Sequence, residues 1–236
     1  MNKSGLWRIA LPESEEDLPQ QLVSLLGSAE QARFQRIKNP ARRIAFTVGR
    51  ALARAAYCHC YGGELSQVTL TQDELGRPSV VSGRSFDFSI SHSGKWVLCG
   101  FSIHGRVGVD IESLARKRDW QGIAQHYFHD DEIHLIQSDT NPEHCFYQLW
   151  VLKEALLKML GIGLRVPLQQ VRFNKQKSGW HYCGDLAAEA ETLSVMSLDG
   201  YMLAVVAEQP MTGGKLQQLS LEFLLGNDII ADHGTK

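Results

Sequence analysis

The chain has no uninterrupted apolar run approaching the roughly 18 residues a membrane-crossing helix needs, and its opening stretch, MNKSGLWRIALPESEEDLP, holds no apolar segment of signal-peptide length. These two absences predict a soluble, cytoplasmic protein with no membrane partner. Cysteine is scarce and unpaired. Cys58, Cys60, Cys99, Cys145 and Cys183 are odd in number and show no C-x-x-C spacing, which excludes a disulfide framework and a structural zinc site. The CHC at 58 to 60 reads as a helix end carrying small core thiols. A basic excess is also missing: 24 Lys and Arg stand against 26 Asp and Glu, a net charge of −2. Sequence-independent nucleic-acid binding is therefore not expected, and any anion site has to be local.

What is present is a globular composition, 44% hydrophobic over 236 residues, enough for one domain or two fused halves of about 100 residues each. Residues 28 to 60 have helical character, interrupted at KNPAR, where Pro40 disfavours helix at Asn39 and can open a new one. Strand signals follow in QVTLTQ, SFDFSIS, KWVLCGFS and GRVGVDIE, separated by the turns ELGRP and HSGK. The order then returns, with helices near 119 to 137 and 143 to 160 and strands at QVRFNK, GWHYC, ETLSVMSL and YMLAVVAE. Asp199-Gly200 marks a hairpin between the last two. The pattern predicts an α+β protein of two similar halves, residues 1–106 and 107–210, with a peripheral tail at 211–236 whose one apolar segment is LEFLL. A seam between two packed halves makes a cleft able to hold a ligand.

Three stretches carry residue types that chemistry could use. In VGVDIE, alternation puts Asp110 and Glu112 on one strand face with Cα atoms roughly 6.5 to 7 Å apart. Two such carboxylates repel unless a cation lies between them or basic groups flank them. They suit Mg2+, or a polar strand end in solvent. In CFYQLWVLKEALLKMLG, Phe146, Leu149, Leu152, Leu156, Met159 and Leu160 fall on one helical arc, while Glu154 and Lys158 lie a turn apart on another side with Trp150. Glu154 and Lys158 alone read as a surface ion pair, but Lys153 lies within the apolar arc, where its amine must snorkel out or meet an anion. In FDFSISHSGKW, Ser89, Ser91 and His92 end an alternating strand, placed for a phosphate or nucleobase or simply as a polar hairpin.

Taken in order, FSISHSGKWVLCGF, VGVDIES and FYQLWVLKEALLKMLGIGL resemble the 4′-phosphopantetheinyl transferase superfamily, in its larger monomeric type that activates surfactin synthetase and similar carrier proteins. The family pattern (V/I)G(V/I)D followed by (F/W)xxKExxxK is met by Val107, Gly108, Val109 and Asp110, then by Trp150, Lys153, Glu154 and Lys158. The resemblance implies two halves related by a pseudo-twofold axis with one active site between them. It implies Mg2+, with Mn2+ as an alternative, on Asp110, Glu112 and Glu154, and coenzyme A as substrate. A carrier-protein serine would attack the β-phosphate and release adenosine 3′,5′-bisphosphate. Glu154 is expected as general base, directly or through water, and Lys158 and Lys153 as pyrophosphate partners. Ser91 and His92 would line the nucleotide site, with Gly76-Arg77-Pro78 at the adenine; Arg77 stands where the family has Lys, and Ser89 where Asn is common. Arg43 is expected at the 3′-phosphate, with Arg42 and Arg50 as alternatives. The partner would be an acidic acyl or peptidyl carrier protein, met by the basic run ARKR at 115 to 118.

Overall fold

The computed structural model describes residues 4–211 and 215–226. The chain runs β1 (Ser4–Ala10), α1 (Gln20–Ser24), α2 (Ser28–Arg36), α3 (Pro40–Tyr61), β2 (Leu70–Gln72), β3 (Pro78–Val80), β4 (Asp87–Ser93) and β5 (Trp96–Ser102). It continues β6 (Val107–Ser113), α4 (Trp120–Tyr127), α5 (Asp130–Ser138), α6 (Pro142–Leu160), β7 (Phe173–Gln176), β8 (Gly179–Tyr182), β9 (Thr192–Leu198) and β10 (Tyr201–Ala207). The second sequence repeats the first: one strand, three helices, then two strand pairs. Short β11 (Leu216–Leu219) and α7 (Leu221–Leu224) follow. The expected α+β class is what folds.

The two larger sheets repeat as well. β1, β5 and β4 stand in the order in which β6, β10 and β9 stand in the other sheet, antiparallel throughout. Side-chain alternation makes four layers of this. In β5, Val97, Cys99 and Phe101 face the core under α3, while Trp96 and Leu98 face the second sheet. In β6, Val107, Val109 and Ile111 turn toward the first sheet, leaving Gly108, Asp110 and Glu112 on the side of α6. Leu6, Leu98, Val109, Leu203 and Val205 are among the apolar residues that close the layer between the sheets, and Phe146, Leu149, Leu152 and Leu156 of α6 fill the layer beyond.

At the seam, side chains of β4 bond the backbone of β6. Asp87 Oδ2 accepts from Val107 N (2.7 Å), Ser89 Oγ from Val109 N (3.1 Å) and Ser93 Oγ from Ser113 N (3.0 Å). Every second residue of β4 thus reaches across, and the polar alternation of DFSISHS is largely a joint between halves. Ser91 breaks the series and turns to Asp110 instead (2.7 Å).

The segment after residue 210 is less peripheral than its composition suggested. β11 lies parallel to β1 as the outer strand of the first sheet, and Leu224 is buried in the core under α3. Residues 212–214 and 227–236 of that segment lie outside the described residues.

Candidate active site

The site is assembled where β6 meets α6. Gly108 lies against the helix so closely that a Cβ there would run into the carbonyl oxygen of Ala155. Any side chain would push α6 off the strand, so glycine is what allows the next inward residue, Asp110, to meet the helix. Lys158 Nζ reaches Asp110 Oδ1 at 2.6 Å and Ser91 Oγ at 2.9 Å. Asp110 is buried, and its second oxygen, Oδ2, has no hydrogen-bond partner. Glu112, two residues on, is held at Oε1 by Arg118 (2.8 Å) and at Oε2 by the hydroxyl of Ser93 (3.2 Å). Glu154, half-buried one turn before Lys158, has its carboxyl pushed above the ordinary range by burial and next by the Asp110 charge, with Lys158 opposing.

From Lys158 a cleft of about 820 Å³ opens toward the first half. Arg33, Arg36 and Lys38 from the end of α2, Arg42 and Arg50 from α3, and Arg77 line it, and no carboxylate among the described residues does. Phe46, Pro78, Ile90 and His92 supply flatter wall. Arg33 and Arg50 both lie over the Phe46 ring, at 5.5 and 5.1 Å. Burial lowers the Arg50 guanidinium to about 10, with Glu30 opposing the shift; it stays charged at neutral pH. The wall, Lys158 and Arg42 hold the His92 imidazolium below its ordinary range. A chain of net charge −2 has gathered local positive potential into one concavity, which favours a polyanion. A cleft with cations along its length, joined through Lys158 to the buried Asp110, fits a phosphorylated ligand.

Comparison with known proteins decides the family. Residues 106–206 match the 4'-phosphopantetheinyl transferase superfamily and residues 12–102 match the 4'-phosphopantetheinyl transferase N-terminal family. The 4'-phosphopantetheinyl transferase HetI of Nostoc sp. is 33% identical over 165 residues, 67% of this chain and 69% of that one. The chain belongs to the 4′-phosphopantetheinyl transferase family. A Bacillus subtilis 4'-phosphopantetheinyl transferase is 28% identical over 221 residues, 91% of this chain and 95% of that one. Among solved structures, a holo-[acyl-carrier-protein] synthase from Neisseria meningitidis matches 44% of this chain and 98% of its own at 23% identity and a TM-score of 0.40.

With the family in hand, the expected residues can be placed one by one. Asp110, Glu112, Glu154, Lys158 and Ser91 come together; Arg77, Pro78 and His92 line the same cleft. Arg77 also braces the seam, donating to Asp87 (2.5 Å) and to the carbonyl oxygen of Lys158. Arg43 does not line the cleft: it pairs with Glu15 (2.6 Å), and the neighbouring Arg42 takes the inward position. Lys153 is absent too. Its amine is fully buried, paired with Glu132 (2.6 Å), donating to the carbonyls of Leu168 and Val171 and lying 4.6 Å from the Phe128 ring. The lysine in the apolar arc does meet an anion, but a protein carboxylate rather than a phosphate. Sequence reasoning missed Arg33, Arg36, Lys38, Ser93 and the inward turn of Arg118. Arg33 and Arg36, one turn apart at a helix end, were the one readable signal among them.

The family implies Mg2+, and the donor set fits a hard divalent ion, since the acids offer only oxygen and Asp110 Oδ2 is buried without a partner. The ligands are not yet gathered. Among the described residues no three His, Cys, Asp or Glu side chains are close enough together to hold a metal ion, and Lys158 and Arg118 each pair with one oxygen, of Asp110 and Glu112 respectively.

Proposed function

We propose that this chain transfers the 4′-phosphopantetheine arm of coenzyme A to a serine of an acyl or peptidyl carrier protein, releasing adenosine 3′,5′-bisphosphate, with Mg2+ required. The observation that carries the reading is the continuity of a cation-lined, carboxylate-free cleft with the Asp110, Glu112 and Glu154 cluster, Lys158 standing at the join. In this reading the first half, residues 1–106, holds the nucleotide: Arg42 and Arg50 take the 3′-phosphate, and Arg77-Pro78 and His92 border the base. The second half, residues 107–210, holds the diphosphate and the acids, and the two are related by a pseudo-twofold axis.

Asp110, Glu112 and Glu154 would hold Mg2+, or Mn2+, which when bound offsets the charge of the diphosphate and of the departing phosphate. Lys158, now divided between Asp110 and Ser91, turns its charge to the pyrophosphate and stabilises the leaving group. Glu154, whose raised affinity for a proton follows from its burial among acids, takes the proton of the attacking serine hydroxyl. Phosphoryl transfer asks chiefly for positioning and charge stabilisation, and α6 seated on Gly108 supplies both from one rigid element.

Both walls of the cleft come from one chain, which favours a monomer, and no helix among the described residues is long and apolar enough to cross a membrane; we place the enzyme in the cytoplasm. An acidic carrier would meet the exposed Arg116 and Lys117. The test is intact mass of apo-carrier after incubation with coenzyme A and Mg2+, where a gain of about 340 Da on one serine is expected. Release of free 4′-phosphopantetheine with no modified carrier would instead make water the acceptor and the chain a hydrolase.

A further inference from the structure

Two of the three acids that the proposed function gives to the metal, Asp110 and Glu112, are not equivalent in this structure. Asp110 shares Oδ1 with Lys158 and Ser91 and keeps Oδ2 free. That oxygen is an acceptor a divalent ion could use, although it is buried. Glu112 has both oxygens engaged, with Oε1 on Arg118 Nη2 at 2.8 Å and Oε2 on the Ser93 hydroxyl. Ser93 can rotate its hydroxyl away, whereas the guanidinium competes with an arriving cation for the same negative charge. The pair is well shielded, with the Arg118 and Glu112 side chains 16% and 15% exposed.

The two cations also differ in their mounting. Lys158 is fixed on α6, whereas Arg118 lies on the connection between β6 and α4, and its other partner is the face of Trp150, 5.8 Å away, a contact without direction. Two carboxylates side by side on one strand need positive charge beside them whenever the metal is away.

We propose that Arg118 is the resident counter-ion of Glu112, a removable cation that keeps the acidic strand neutralised and that competes with a divalent ion for that carboxylate. The inference rests on the metal reading above. Its consequence is a link between metal loading and the protein surface. An arginine freed from Glu112 leaves the Trp150 face and joins exposed Arg116 and Lys117, adding positive charge to the strip an acidic carrier would meet.

The experiment uses the full-length protein without coenzyme A and Mn2+ as probe, with bound metal read from loss of the free-ion electron paramagnetic resonance signal. Arg118→Met should bind Mn2+ about threefold more tightly than wild type, the scale of one partly shielded ion pair, and Arg118→Lys should stay within about twofold. Mg2+ should also change the tryptophan emission of the wild type, and that change should vanish in Arg118→Met and in Trp150→Phe. Unchanged or weaker Mn2+ binding by Arg118→Met, with native circular dichroism, overturns the proposal. Should that variant fail to fold, the wild-type emission decides: no response at a Mg2+ concentration that saturates the site overturns it equally. Failure of the underlying metal reading looks different, because Mn2+ binding would then be absent from the wild type or indifferent to Asp110→Ala, and the proposal would fall with it.

Discussion

Helices α3 and α6 both begin with a capping asparagine and a proline, Asn39-Pro40 and Asn141-Pro142, and both stop at a glycine with φ +75°, Gly62 and Gly161. At the same distance before that glycine each buries a cation, Arg54 in one and Lys153 in the other. Each cation pairs with the glutamate that caps a preceding helix: Arg54 with Glu30 at 2.5 Å, Lys153 with Glu132 at 2.6 Å. Each also donates to the carbonyl of a valine that closes a short 3-10 turn, Val68 after Leu65–Gln67 and Val171 after Leu168–Gln170. The two helices diverge on the face they turn to the cleft. α3 presents Arg42 and Arg50, and α6 presents Lys158, with Glu154 one turn before it. The comparison separates what the shared unit needs in order to fold from what each copy adds to chemistry, and it puts Lys153 with the first although it adjoins Glu154 in sequence.

The largest effect should come from the divergent face of α6 and its partner strand. Asp110→Ala and Glu154→Gln should each lower transfer by at least about 100-fold with native circular dichroism retained, measured as holo-carrier formed per minute; near-full activity in either would detach that acid from the reaction. Next come the paired clamps. Lys153→Met leaves Glu132 charged and without a cation in the core and should cost about 3–5 kcal/mol in urea unfolding, Arg54→Met should cost less because Arg50 also pairs with Glu30 (3.6 Å), and Lys153→Met with Glu132→Leu should recover most of the loss. If Lys153→Met kept its stability and lost only turnover, the two clamps would not be equivalent.

Much of this was open to reading beforehand. The helix around 143 to 160, the strand segments from residue 70 to 207 and the Asp199-Gly200 hairpin follow from local periodicity and turn chemistry, whereas β1 and the order of strands within each sheet do not. The duplication was legible only in part, as the return of helices and strands. Its residue-level trace is short, Leu65-Ser66-Gln67-Val68 against Leu168-Gln169-Gln170-Val171, and it gains meaning only once both valines are seen to receive a buried cation. Which of two adjacent arginines turned inward could not be read either. Neighbours on a helix point about 100° apart, so a small uncertainty in register exchanges Arg42 for Arg43, and the Glu15 that claims Arg43 comes from a loop without periodicity. The joint made by Ser89, and by the overlooked Ser93, was hidden for a related reason. A hydroxyl looks alike in sequence whether it awaits a ligand or a neighbouring strand.

A smaller effect tests that helical register. Arg42→Ala should raise the coenzyme A KM by about tenfold with kcat nearly kept, the size of one charged hydrogen-bonded contact, while Arg43→Ala should leave it within about twofold; the reverse order would turn α3 by one residue. The smallest expected effect lies on the surface, where Arg116→Glu with Lys117→Glu should raise the carrier KM by about threefold at low salt and less as salt rises. A KM indifferent to both charge and salt would move the carrier elsewhere.

β11 pairs with β1 across nearly the whole chain, fastened by Trp7 Nε1 to Gln217 (2.7 Å) and Arg8 Nη2 to Gln218 (2.8 Å). The first sheet therefore receives its last strand from the opposite end of the polypeptide. On a ribosome that strand emerges only after the whole second lobe, so β1 waits with a bare edge through most of synthesis, a slow, high-contact-order closure exposed to mispairing. Splitting the protein at residue 106 would leave neither fragment a finished fold.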